Sequence, residues 1–137
     1  MAVPTVVMNR FFDRLYPLLR ELDQDPLTGP LAVAMLIPYS GDEFRSLVLS
    51  SVSLDGMGLA AATSLVLRKL RRVLGPDSFK INGISILRTH DFAVRMVSET
   101  YSIPTLGSAY QVMGAPVFTL GLSDPIIFLS RPVAVAA

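Results

Sequence analysis

The chain contains no cysteine, no tryptophan and a single histidine, His90. Without cysteine there is no disulfide, no thiolate metal ligand and no thiol nucleophile. A cysteine-free composition suits a reducing compartment, so the cytoplasm is the expected location. One imidazole cannot build a histidine-rich metal site, and no Asp or Glu residues cluster at ligand spacing, so no metal and no cofactor is expected. Charge is scarce too. Asp, Glu, Lys and Arg make up 17% of the residues, against about 25% in an ordinary soluble chain. The net charge of +1 is too small for the electrostatic footprint of a nucleic-acid binder. No run of about eighteen uncharged apolar residues exists. The best stretch, 115–129, is interrupted by Asp124 and Pro125, so no membrane span is expected. Residues 1–5 lack a basic stretch ahead of an apolar run, and no signal peptide is expected.

Apolar residues are what the chain has in excess, at 51% of 137. A chain of this length forms one domain and can bury about two thirds of its surface. The shortage of charge then has two readings. Apolar surface is hidden in an oligomer, or it lines a site for a small apolar ligand. A homodimer is the preferred expectation, because small proteins commonly assemble as symmetric pairs.

The pattern of apolar residues divides the chain into elements. Met8, Phe11, Phe12, Leu15, Leu18, Leu19 and Leu22 recur at spacings of three and four, which predicts a helix over 4–23, kinked at Pro17. Residues 31–37 and 46–54 read as strands joined by a turn at 39–43, where Gly41 tolerates positive φ. Leu59, Ala62, Val66, Leu70 and Val73 share one face of a second helix. Asp55 is placed to cap it or to serve as its first-turn acid, and Gly75-Pro76 stops it. Asn82-Gly83 predicts a tight hairpin, with a single strand bulged at Gly83 as the alternative. Residues 92–101 read as a strand in preference to a short helix. Residues 102–115 read as irregular, and 117–122 with 126–129 as a final hairpin. The tail, 133–137, is expected to fray. The whole is expected to be one α+β domain over 1–137. Its architecture is a two-layer sandwich, a mostly antiparallel sheet with two main helices packed on one face. This order of elements is similar to that of Roadblock-like and GAF-like small sandwiches, a likeness of topology alone.

Several residues are candidates for chemistry. His90 and Asp91 are neighbours in a turn, the residue types of a general base and its orienting carboxylate. Sequence neighbours seldom face each other, so a solvated turn is the preferred reading. Gly56-Met57-Gly58-Leu59-Ala60-Ala61 fits G-x-G-x-x-A ahead of a helix, where glycines let a pyrophosphate approach the N-terminus. The acidic residue that should follow about 20 positions on is absent, and Asp55 places negative charge where phosphate would sit. A capped turn is therefore preferred.

Residues 49–74 also resemble the H-x-x-x-D-G segment of chloramphenicol-acetyltransferase-like and dihydrolipoyl-acyltransferase-like enzymes. Asp55-Gly56 match that segment, but Ser51 stands where the resemblance calls for a histidine general base. The likeness thus implies at most a non-catalytic relative. Ser40, Ser50, Ser51 and Ser53 lie outside any G-x-S-x-G context, and none is assigned as a nucleophile. Met8, Met35, Met57, Met96 and Met113 are read as core filling.

Arg68, Lys69, Arg71 and Arg72 form the densest basic run, suited to an anionic partner but better read as a solvated helix end. Leu65 falls on the polar side of its helix and is a candidate subunit contact. The expected function is a soluble, non-catalytic binding or interaction module acting as a homo-oligomer, its partner itself or another protein. The alternative is a small-molecule-binding protein or small enzyme, with a pocket lined by the helix start at Asp55, Gly56 and Gly58 and by the irregular 102–115 segment, and with His90 and Asp91 nearby.

Overall fold

A computed structural model describes residues 5–112 and 124–133. A six-stranded sheet runs through them in the order β1-β5-β6-β2-β3-β4. The strands are β1 (Thr5–Val7), β2 (Val33–Ser40), β3 (Glu43–Ser50), β4 (Ile84–Ile86), β5 (Ala109–Gln111) and β6 (Ile126–Ser130). All neighbours pair antiparallel except β3 with β4. The helices are α1 (Arg10–Gln24), α2 (Val52–Met57), α3 (Leu59–Leu74) and α4 (Phe92–Thr100), with a 3-10 segment over Gly75–Lys80. The fold is α+β, with α1 and α3 as the two main helices on one face of a mostly antiparallel sheet. No described helix is long and apolar enough to cross a membrane.

The first helix starts later than its apolar spacing suggests. Thr5–Val7 instead form an edge strand paired with β5. Asn9 then breaks the chain direction, accepting the Phe11 N–H at 2.9 Å as the N-cap. The helix runs on through Pro17, whose ring lies on the exposed side. Its stripe of Phe11, Phe12, Leu15, Leu18, Leu19 and Leu22 is buried as the spacing requires. Met8 does not join that stripe. It is 92% exposed, against the expectation of core filling.

The β2–β3 hairpin turns more tightly than expected. Ser40 pairs with Glu43 across Gly41-Asp42, with Gly41 at φ +60°, and both strands extend outward to meet the turn. Leu47 and Leu49 face α1 and α3, while Val33, Met35, Ile37 and Val48 face the other side of the sheet. There α4 supplies Val94 and Val97 to a second, smaller cluster. Residues 92–100 are therefore a helix and not a strand. The deciding contact is the Asp91 carboxylate, which accepts the Ala93 N–H at 2.8 Å as N-cap. Val94, Val97 and Tyr101 then recur at helical spacing on the covered side.

Asn82-Gly83 does not make a hairpin. The chain passes straight on beside β3, with Ile81 bridging Phe44 and Ile84 opposite Leu47. The Asn82 N–H donates to Phe44 and the Gly83 carbonyl accepts from Leu47. Ile81 and Ile84–Ile86 pair with Phe44 and Leu47–Leu49 at one constant offset, so no extra residue is inserted at Gly83 and the bulged-strand alternative does not occur either. Within the irregular 102–112 stretch, Ala109–Gln111 form β5. The expected strand 117–122, Met113 and residues 134–137 of the tail lie outside the described residues.

Asp23 ties the segment entering β2 to the segment leaving β6. Its carboxylate accepts the Leu31 N–H and pairs with the Arg131 guanidinium at 2.7 Å. Gly29 lies so close beneath α1 that a Cβ there would sit 2.1 Å from the Asp23 carbonyl oxygen. Only glycine fits that approach.

Candidate functional site

The glycine turn was the strongest candidate for a ligand site, and its geometry is that of a junction between two helices. Ser51 caps α2, accepting the Leu54 N–H at 3.0 Å. Gly58 then takes φ +86°, a conformation L side chains rarely adopt, and α3 begins at once. No side chain caps α3. Asp55 is therefore not the cap of the second helix. It sits in the first turn of α2 and reaches sideways instead. Its carboxylate accepts the Thr89 backbone N–H at 3.1 Å and the Thr89 hydroxyl at 2.6 Å. Beside it, the Asp55 carbonyl accepts from the Arg88 guanidinium at 2.9 Å. The loop after β4 is thus pinned to the α2 turn. Gly56 is exposed, and its missing side chain faces open space.

His90 is exposed in the turn that follows Thr89. Asp91 uses its carboxylate on the α4 N-terminus. The structure brings the Asp55 turn and the His90 turn into one neighbourhood, through Arg88 and Thr89. It does not direct His90 and Asp91 at a common point. Ser51, at the position where the acyltransferase likeness calls for histidine, is fully buried, and its hydroxyl donates to the Thr28 carbonyl. No group of three carboxylate or imidazole side chains is close enough to hold a metal ion among the described residues.

The basic run divides into two pairs. Lys69 reaches Asp25 at 3.0 Å and Glu21 at 3.4 Å. Arg72 also pairs with Glu21. Those cations stitch α3 to α1. They lower the Glu21 pKa, chiefly through the Arg72 hydrogen bond, while the Leu27 backbone N–H and then Lys69 lower that of Asp25. Arg68 and Arg71 are exposed and have no acidic partner among the described residues. Leu65 is half-buried on the flank of α3 that carries Ala61, Lys69 and Arg72.

On the opposite flank of α3 lies a hollow of about 520 Å³ that sequence reasoning missed. Thr63, Leu67 and Arg71 form one wall, and Phe79, Asn82 and Ile84 form the other. Phe79 is 63% exposed. Reading 79–81 as the start of a hairpin concealed this, because a hairpin would have paired the edge that the parallel strand leaves open. A second hollow, of about 490 Å³, lies between the start of α1 and the β5 region and is lined by Val6, Arg10, Asp13 and Tyr16 among others. Burial there raises the Tyr16 phenol, with the Asp13 carboxylate adding to the shift.

No family model, no curated protein and no solved structure matches this chain. The functional reading rests on its own residues.

Proposed function

We propose that this chain is a non-catalytic interaction module that acts by docking polypeptide surfaces, and that it self-associates. The observation that carries the reading is the fate of its chemically capable side chains. Asp55 is spent on Thr89, Asp91 on the Ala93 N–H, and Ser51 on Thr28 and Leu54. Each does structural work at a helix end or a turn, which leaves His90 without a partner group to orient it. Among the exposed large apolar side chains are Leu59, at the start of α3, and Phe79, beyond its end, each more than half exposed. The outer face of the first half of α3, Leu59, Ala60, Ala61 and Ser64, is exposed and carries no charge. An uncharged helix face on a chain so poor in charge supports burial against a second copy. Leu65 lies at its margin.

Native mass spectrometry of the full chain, backed by sedimentation at micromolar concentration, tests this reading. A dimer is expected. Ala61→Glu, at an exposed position, and Leu65→Glu, at the margin, are expected to shift it toward monomer with the circular dichroism spectrum unchanged. A wild-type chain that stays monomeric, or variants that keep the dimer mass, overturns self-association through this face. A small molecule retained in stoichiometric amount overturns the interaction-module reading.

A further inference from the structure

β4 is one of the two edge strands of the sheet, with β1 at the other end. In the parallel ladder with β3, the Gly83 carbonyl accepts the Leu47 N–H and the Leu87 N–H donates to the Leu49 carbonyl. Ladder bonds in a parallel pair use alternate residues of each strand. Residues 83, 85 and 87 therefore turn their peptide groups toward β3, and Ile84 and Ile86 turn theirs away. Among the described residues β4 has no other neighbour. The start of this edge, Asn82 to Ile84, lines the 520 Å³ hollow beside α3. Leu67 and Phe79 give the hollow an apolar lining, and Arg71 lines it too. No acidic side chain lines it. Arg68, one turn back along α3, is likewise without a carboxylate.

We propose that the β4 edge and the adjoining flank of α3 bind an extended polypeptide segment with an apolar centre and acidic ends. This rests on the interaction-module reading and names the partner for one surface of it. The segment adds to the sheet as a further strand, so its main chain takes up the outward N–H and C=O groups of Ile84 and Ile86. Its apolar side chains lie against Ile84, Leu67 and Phe79, and a carboxylate meets Arg71 and Arg68.

Charge decides against a second copy at this edge. Antiparallel pairing of two β4 strands with Ile84 opposite Ile86 sets Asn82 opposite Arg88 of the other copy. In that register a second copy brings a cation, and no anion, to the hollow that Arg71 and Asn82 line. Self-association through the outer face of α3 leaves the β4 edge free.

The test uses the full chain and a fluorescent peptide with a valine–threonine–valine centre and two glutamates at each end. The control peptide carries lysine in place of glutamate. Saturable binding of the acidic peptide is expected in fluorescence anisotropy, at least about tenfold tighter than the lysine peptide. Arg71→Glu combined with Arg68→Glu is expected to weaken it by about tenfold or more while the circular dichroism spectrum is kept. Amide exchange at Ile84 and Ile86 should slow on binding, which a purely ionic contact with α3 would not cause. Equal binding of both peptides, no binding of either, or binding without protection at Ile84 and Ile86 overturns the proposal. Protection of those two amides that rises with protein concentration in the absence of peptide assigns the edge to a second copy and also overturns it. If the peptide fails to bind but the native mass is dimeric, this inference falls and the module reading stands.

Discussion

The Asp55 carboxylate accepts both the backbone N–H and the side-chain hydroxyl of Thr89, across 34 positions of sequence. That contact joins the first turn of α2 to the loop that leads from β4 into α4. Arg88 reinforces it by donating to the Asp55 carbonyl. An acid that looked like a helix cap or a ligand contact is thus a clamp between two segments.

Asp55→Ala is expected to cost about 1–3 kcal/mol, because the partly buried Thr89 N–H and hydroxyl lose their acceptor together. Asp55→Asn keeps one acceptor oxygen and is expected to lose less. Urea denaturation of the two variants gives the order. If Asp55→Ala unfolds at the wild-type midpoint, the clamp carries no stability.

Ser50 and Ser51 are adjacent, both fully buried, and opposite in consequence. The Ser51 hydroxyl donates to the Thr28 carbonyl and accepts from the Leu54 N–H. The Ser50 hydroxyl has no hydrogen-bond partner among the described residues. Removing a hydroxyl that serves two buried groups leaves them unsatisfied, while removing an unpartnered one relieves a desolvation cost. Ser51→Ala is therefore expected to destabilise by about 1–3 kcal/mol. Ser50→Ala is expected to leave stability unchanged or raise it, at most by about 1 kcal/mol. Thermal denaturation of the pair measures both, and the reverse order would refute the assignment of their roles.

How much of this was legible in the sequence follows from the range of each interaction. The stripes on α1 and α3 are local patterns, and their faces are buried as the spacing of Leu15, Leu19, Leu22, Val66 and Leu70 implies. The β2–β3 hairpin announced itself by Gly41. What failed depended on distant partners. Asn82-Gly83 has hairpin chemistry, yet β3 offers it a ready edge, and parallel pairing after the α3 crossover wins. Val94 and Met96 alternate as in a strand, but Asp91 caps a helix that lays Val94 and Val97 on the far face of the sheet. In the candidate site, Arg88 and Thr89 bring the turn that holds His90 against the Asp55 turn. The bond that does so was invisible, because nothing local marks Thr89 as the partner of Asp55. The open β4 edge was hidden for the same reason as the parallel pairing that creates it.

The join between α1 and α3 is ionic at its rim, and this sets a pH dependence. Glu21 is held below the usual carboxylate range first by the Arg72 hydrogen bond and then by the nearby Lys69 charge. Asp25 is held low first by the Leu27 N–H and then by Lys69. A carboxylate whose pKa is lower folded than unfolded binds its proton more readily in the unfolded chain. It therefore contributes stability above its ordinary pKa of about 4 and loses that contribution as pH falls through the folded value. Thermal stability is expected to be level from neutral pH down to about 5 and to fall below about 4. In Glu21→Gln with Asp25→Asn the fall should be shallower, and the variant should start from a slightly lower plateau. Both carboxylates are open to solvent, so about 0.5 M salt is expected to narrow the gap between wild type and variant at neutral pH. Melting curves from pH 7 to pH 3 check the sign. Parallel curves for the two proteins would mean that the Lys69 and Arg72 contacts leave the acid transition to other carboxylates.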